Sequence, residues 1–429
     1  MTACLPGARA ATVIDVELAD GVPDLPPAGP RTGRSAWLLV RVFTEPVGVL
    51  VRELGPEPVW RDDLLELIVA ELGPELAPRL AAVGESTATL AATGLGRTTS
   101  PFTDARARVL RTAPACTVVV CTRDRPDSLR RTLDSLLGQE HVPDRVLVVD
   151  NAPATSAARE VVQSVGDRLD VTYVIERSPG LSRARNHALC LVETPLVAWI
   201  DDDAVADRFW LAEIVRAFVE GPEVAAVSGA VVPLELETPA QVLFERAGGH
   251  IKGRGFTPQV FLPHGSTGHD PLYPLPPFGV GTNMAFQTSE LRAVGGFDEA
   301  LGAGTGSRSG EDTLAIAGLM LAGHGVAYRP SALVRHLHRR DLAGLTAQVE
   351  GYGSGLTAFY AALVLSWPSL LWRLVRLAPR AVRDVLRTPT SEETLPPELL
   401  AVKRRAMLTG AVRYLGERRR VRAAAGRTS

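Results

Sequence analysis

The chain has 429 residues, with 46 Lys and Arg against 48 Asp and Glu and a net charge of −2. A balance this close to neutral gives no whole-chain attraction for nucleic acid, so no nucleic-acid partner is expected. Hydrophobic content of 46% excludes a disordered chain, and the length allows two or three compact units with full cores.

Residues 1–112 read as a small α+β domain. Ala36 to Phe43 and Val47 to Val51 are two predicted strands joined at Glu45-Pro46. Asp62 to Leu72 has helical periodicity and should stop at Gly73-Pro74. From residue 113 the rhythm becomes strand, helix, strand, helix, up to about 340. Thr117 to Cys121 is a β-branched run suited to a strand covered on both faces, and Pro126-Asp127 opens a helix with Leu129, Leu133, Leu136 and Leu137 on one stripe. Strands follow at 145–150 and 171–175, then a helix at 181–191 and a strand at 196–201. Such alternation implies an α/β fold, a mostly parallel sheet with helices on both faces. The Pro- and Gly-rich stretch 262–281 reads as a functional loop. Residues 341–429 read as a helical, basic C-terminal region.

Cys4, Cys116, Cys121 and Cys190 show no metal or redox spacing, and Cys121 and Cys190 read as small core hydrophobes. The N-terminus lacks a basic segment followed by an apolar core, so a cytoplasmic protein without a signal peptide is expected.

Three strand ends carry polar groups: Thr122-Arg123-Asp124-Arg125, then Asp150-Asn151, then Asp201-Asp202-Asp203. The last follows the apolar run Val197-Ala198-Trp199-Ile200. Carboxylates abutting a core strand need a cationic partner, and hard oxygens suit Mg²⁺ or Mn²⁺ arriving with substrate phosphates; the alternative is a solvated acidic turn. Ligands bind at the carboxyl ends of strands in open α/β sheets, so the three ends together define one crevice for a nucleotide diphosphate. Asp150 can accept from a base N–H. Arg183 and Arg185 offer guanidinium forks for phosphate or base edges, although Ser182 and Arg183 also read as solvated-face residues.

Residues 113–340 resemble a family 2 glycosyltransferase of the GT-A, Rossmann-like fold. The matching pieces are VVVCTRDRPDSLRRTLDSLL, VLVVDNA, GLSRARNHAL, VAWIDDDAV, GTNMAFQTSELRAVGGFDEAL and GEDTLAIAGLMLAG, in the family's order and spacing. The resemblance implies a nucleotide-sugar donor, a hydroxyl acceptor (glycan or lipid-linked) and Mn²⁺ or Mg²⁺ as cofactor. Thr122, Arg123, Asp150, Asn151, Arg185 and Asp202 would contact the nucleotide; Asp201 and Asp203 would form the metal-binding DxD. Where the family often has a second acidic residue after the nucleotide Asp, this chain has Asn151. Asp312 of Gly310-Glu311-Asp312 would be the catalytic base, since inversion needs a carboxylate opposite the leaving diphosphate. Its other reading is a first-turn acid complementing a helix dipole. The glycine-rich 302–310 segment suits a lid or acceptor loop.

His336 and His338 fall on one face of a strand. By the resemblance His338 is a third metal ligand; otherwise it is a hydrogen-bonded surface residue. Local sequence supplies no further ligands for a histidine-based zinc site. Tyr352 to Trp372 contains no charge over 21 residues, and arginines follow at 373, 376, 380, 383 and 387. Three readings stand: an interfacial helix in peripheral contact with the inner face of the membrane, a packed helical bundle, or a span. Two other functions fit less of the pattern. A sugar-phosphate nucleotidyltransferase should carry a glycine-rich loop where CTRDRP stands, and an inactive binding module need not keep both acidic sites.

Overall fold

The computed structural model describes residues 10–29, 33–88, 90, 95, 99–251, 253–263, 272–273, 278–386 and 395–425. Most of the proline-rich 262–281 stretch, Arg387 and Cys4 lie outside them.

Strands β1 (Ala11–Glu17), β2 (Ser35–Val42) and β3 (Glu45–Glu53) form a three-stranded sheet covered by α1 (Arg61–Ala81). The predicted stop at Gly73-Pro74 is overridden, because α1 continues with Pro74 and Pro78 inside it. Leu64, Ile68, Leu72, Leu76 and Leu80 form one buried stripe across the prolines, and that burial outweighs the lost backbone hydrogen bonds. Helix α2 (Pro101–Leu110) follows, opened by a reciprocal Ser100–Thr103 cap.

The central elements are β4 (Cys116–Thr122), α3 (Pro126–Leu137), β5 (Arg145–Asn151), α4 (Ala157–Val165), β6 (Val171–Glu176), α5 (Leu181–Leu191), β7 (Leu196–Ile200), β8 (Ala204–Ala206), α6 (Trp210–Glu220), β9 (Val224–Pro233), α7 (Pro239–Arg246), β10 (Gln259–Phe261), β11 (Asn283–Gln287), α8 (Thr288–Ala293), α9 (Glu311–Leu321) and β12 (Gly325–His336). Among the described residues they build a nine-stranded mixed sheet, order β10-β12-β9-β11-β7-β4-β5-β6, with β8 paired to β12. The β7-β4-β5-β6 half is parallel, whereas β11 runs antiparallel to both neighbours. Alternate residues of each strand face opposite sides. Val118, Val120, Val146 and Val148 pack beneath α3, α4 and α6; Val119, Leu147 and Val149 pack beneath α5 and α9. The chain leaves β4 for β5 on one side and returns to β7 on the other, so the strand order reverses at β4.

Helices α10 (Leu342–Ser366), α11 (Leu371–Leu386) and α12 (Pro397–Ala425) complete the described chain, with a 3₁₀ turn at Pro368–Leu370. Helix α10 packs on α9 and α12 through Ala358, Phe359, Ala362 and Leu363. Among the described residues no single helix is long and apolar enough to cross a membrane, although the pair α10 and α11, bent by 113°, has the length and composition together. Cys190 is exposed on α5, against its reading as a core residue, and Cys121 is partly exposed at the crevice.

Candidate active site

The reversal at β4 leaves a crevice of about 300 Å³ at the carboxyl edge of the sheet, lined by Thr122, Arg125, Asp203, Gly304, His336 and Arg339 among others. A larger cavity of about 470 Å³ lies between α8 and Trp367, but Asp298 is its only charged lining residue. Convergent polar groups mark the crevice as the candidate site.

Thr122, last residue of β4, is in register with Asp150 on β5. The three aspartates follow directly on β7. Helix α3 fixes their turn: the Thr132 hydroxyl donates to the backbone oxygens of Asp202 and Ala204 at 3.0 and 2.7 Å. Asp202 accepts from the Thr122 hydroxyl at 2.7 Å, and Arg125 Nη1 lies 3.1 Å from Asp202 and 3.0 Å from Asp203. Asp203 also meets His336 Nε2 at 3.2 Å and Arg339 at 3.7 Å. Burial would raise the Asp203 pKa, yet His336, Arg125 and Arg339 together hold it well below the usual carboxylate range. Burial, then Asp203, pushes Asp202 up to about 6.

Asp201 turns the other way, accepting from the Thr282 hydroxyl at 2.7 Å and lying 3.5 Å from Arg185. Arg185 is fully buried and reaches Glu311 at 2.8 Å and the Gly281 carbonyl at 3.2 Å. Glu311 is pushed up to about 7 by burial first and by Asp312 second. Asp312 Oδ2 accepts from the Gly281 N–H at 2.7 Å, so one backbone turn links the base candidate to Arg185. The two acidic sites are thus joined as Asp201–Arg185–Glu311–Asp312.

Asp150 accepts from the Tyr173 hydroxyl at 2.7 Å, while its buried Oδ1 has no hydrogen bond among the described residues. Burial raises the Asp150 pKa, and burial with Asp150 pushes Tyr173 up to about 12. An orphaned buried acceptor is what a ligand N–H would satisfy. Asn151 is engaged elsewhere: it donates to Ser178 O and accepts from Gly180 N, both at 2.8 Å, pinning the turn before α5. Arg123 lies half exposed, 3.8 Å from Asp124.

Of the two strand-end histidines, His336 faces Asp203, whereas His338 points away, its Nε2 3.1 Å from Glu245. The strand ends at His336, and the Leu337 N–H is bonded to the Asp203 carbonyl at 2.9 Å. Among the described residues it is thus His336, and not the expected His338, that contacts Asp203 directly. The glycine-rich segment is held rather than loose. Ala303 O accepts from Leu181 N at 2.9 Å, and Ser309 and Ser354 bond across to α10 and Ser307.

Thr282 and Arg339 are the residues sequence reasoning missed, while Arg125, Glu311 and His336 were named there without a role of their own. Arg125 stands in the quoted CTRDRP piece and Glu311 in the GED triplet, but nothing local pairs Glu311 with Arg185 across 126 positions. The donor set suits a hard divalent ion. Asp202 and Asp203 already share a guanidinium, and Arg125 is 44% exposed and able to yield that place.

A strand-end acidic crevice at the reversal point is where open α/β sheets bind their ligands. Residues 117–289 match the model for Glycosyl transferase family 2. A pre-mycofactocin glycosyltransferase of Mycobacterium tuberculosis is 30% identical over 318 residues, 69% of this chain and 62% of the relative. A glucosyl-dolichyl phosphate glucuronosyltransferase of Haloferax volcanii is 34% identical over 119 residues, 27% of this chain and 38% of that protein. The chain thus spans less than two thirds of the length of these relatives. Among solved structures, a mannosyltransferase from Pyrobaculum calidifontis in complex with GDP-Man and Mn²⁺ aligns at 20% identity and a TM-score of 0.48, over 70% of this chain and 88% of that one. The chain carries a glycosyl transferase family 2 domain.

Proposed function

We propose that this domain transfers a glycosyl group from a nucleotide-diphosphate sugar to a hydroxyl of a glycan or lipid-linked acceptor, with inversion at the anomeric carbon. The observation that carries this reading is the pair of acidic sites held at fixed spacing through Arg185. Asp202–Asp203 serves the diphosphate end and Asp312 the acceptor end.

Asp150, through its unpaired Oδ1, takes the base N–H, and Thr122 orients Asp202 beneath the nucleotide. Asp203 and Asp202 would hold Mn²⁺ or Mg²⁺, which neutralises charge on a departing diphosphate when bound. Arg125, displaced from the carboxylates, turns toward phosphate oxygens as a guanidinium fork. Asp312 accepts the acceptor's proton. Its Oδ2 is oriented by Gly281 N–H and keeps a further lone pair for that purpose. Arg185 holds Glu311 and Asp201 in register and keeps the base turn from drifting.

Asp312→Asn retains shape and hydrogen bonding but removes basicity, so turnover should fall by about 10²–10⁴ with donor affinity unchanged. Titration calorimetry with the nucleoside diphosphate, beside NMR of the product's anomeric proton, reads both. Loss of donor binding together with turnover would make Asp312 a structural residue, and a retained anomeric configuration would contradict inversion.

A peripheral membrane position is the second reading, favoured by α11. Leu371, Trp372, Val375 and Val382 are exposed there, interleaved with Arg373, Arg376, Arg380 and Arg383. An exposed apolar face between arginines fits an anionic lipid surface.

A further inference from the structure

Behind the aspartates, three buried imidazoles converge from separate segments. His336 ends β12, His338 follows two residues later, and His250 arrives from the turn after α7. One nitrogen from each lies within 4.8 Å of the others. The turn that delivers His250 runs through Gly248 and Gly249, both at positive φ, and a Cβ at Gly249 would collide with the Glu245 carboxylate.

Orientation narrows what belongs at the centre. His336 Nε2 is 3.2 Å from Asp203 Oδ1, and His338 Nε2 is 3.1 Å from Glu245 Oε2. The two Nδ1 atoms face each other at 3.2 Å. With each Nε2–H donated to its carboxylate, two nitrogen lone pairs oppose one another inside the protein. That arrangement needs a cation between them, either a proton or a metal ion. Tetrahedral coordination at metal–nitrogen distances of about 2.0–2.1 Å puts ligand nitrogens about 3.3 Å apart, close to the separation found. Metal-ligating histidines characteristically donate their outer N–H to a carboxylate, and here the Nε2 of each faces one. A third imidazole at the same centre serves a metal and has no use for a proton.

We infer that His250, His336 and His338 form a second metal site, distinct from the Asp202–Asp203 position, that takes a borderline divalent transition metal such as Zn²⁺. The hard-oxygen site keeps Mg²⁺ or Mn²⁺, while three imidazoles select Zn²⁺ or Co²⁺. Through His336 the inner ion orients Asp203 and fixes the edge of the nucleotide crevice. Glycosyl transfer is no part of this inference, so it stands or falls apart from the proposed activity.

Purified full chain is loaded with Co²⁺ and dialysed against excess Mg²⁺, then examined by metal analysis and visible absorption. About one equivalent of Co²⁺ with an intense tetrahedral spectrum should remain. Asp202→Asn should keep it, whereas His250→Ala and His338→Ala should lose it. Glu245→Gln preserves shape and should weaken Co²⁺ binding by about 10–100-fold. Wild-type protein that retains no Co²⁺ overturns the site. So does Co²⁺ that survives His250→Ala or disappears with Asp202→Asn, because the ion would then sit among the aspartates.

Discussion

At the scale of single residues, carboxylates that look alike in sequence are separated by their neighbours. Asp203 is surrounded by cations and stays ionised, whereas Asp202 and Glu311 are pushed toward their neutral forms by burial. The Glu311 case gives a signed prediction. Its folded-state value, about 7, lies above the ordinary 4.5, so the folded protein holds a proton that the unfolded chain has released between those values. Stability from this group is therefore complete below pH 4.5 and is lost as pH rises toward 7. The Glu311→Gln variant cannot titrate there. Between pH 5 and 7 wild type should lose on the order of 2 kcal/mol relative to that variant in urea denaturation. Parallel curves would show Glu311 ionised throughout by Arg185. Strand ends marked Asp150 and Asp203 in the sequence, and the family resemblance marked Asp312 in the Gly310-Glu311-Asp312 triplet. The Arg185–Glu311 pair was not legible, because only the fold brings residues 126 positions apart into one buried contact.

At the scale of elements, burial decides where local signals mislead. Gly73-Pro74 reads as a terminator, yet α1 passes through it because Leu76 and Leu80 extend the buried stripe. The glycine-rich 302–310 segment, read as a lid or acceptor loop, is anchored to α5 and α10 by hydrogen bonds. Gly310 shows what its composition is for. As the residue before α9 it has φ +103°, and a Cβ there would lie 3.0 Å from the Gly355 carbonyl. Gly310→Ala should cost about 1–2 kcal/mol in denaturant unfolding, with reduced turnover because Glu311 and Asp312 follow immediately. An unshifted denaturation midpoint would contradict that conformational role.

At the scale of the whole molecule, the family 2 domain carries additions on both flanks. The N-terminal sheet docks on the β9–β12 edge: Trp37 and Leu39 pack with Val232 and Leu333, and Arg41 pairs with Asp207 at 2.7 Å. No periodicity foretells a contact between segments so far apart, so the sequence showed two of its strands but not their docking. Within the uncharged 352–372 stretch Ala358, Phe359, Ala362 and Leu363 are buried against α9 and α12, while α11 keeps an exposed apolar face. Full-length protein should co-sediment with anionic vesicles at low salt and release at high salt, at about 1 kcal/mol per arginine near the surface. Trp372→Ser with Val375→Ser should reduce that binding several-fold. Binding to neither kind of vesicle would leave the C-terminal helices as a packed bundle alone, and equal binding to neutral and anionic vesicles would contradict the role given to the arginines.

The central claim is that Asp203 holds the cation for a nucleotide-sugar donor. It is tested most directly by screening nucleotide sugars for donor hydrolysis with Mn²⁺ or Mg²⁺, using wild type and Asp203→Ala in parallel. Wild type should hydrolyse a preferred donor only with the divalent ion, and Asp203→Ala should lose that hydrolysis while remaining folded by circular dichroism at the assay temperature. Metal-stimulated turnover that persists in Asp203→Ala would contradict the assignment.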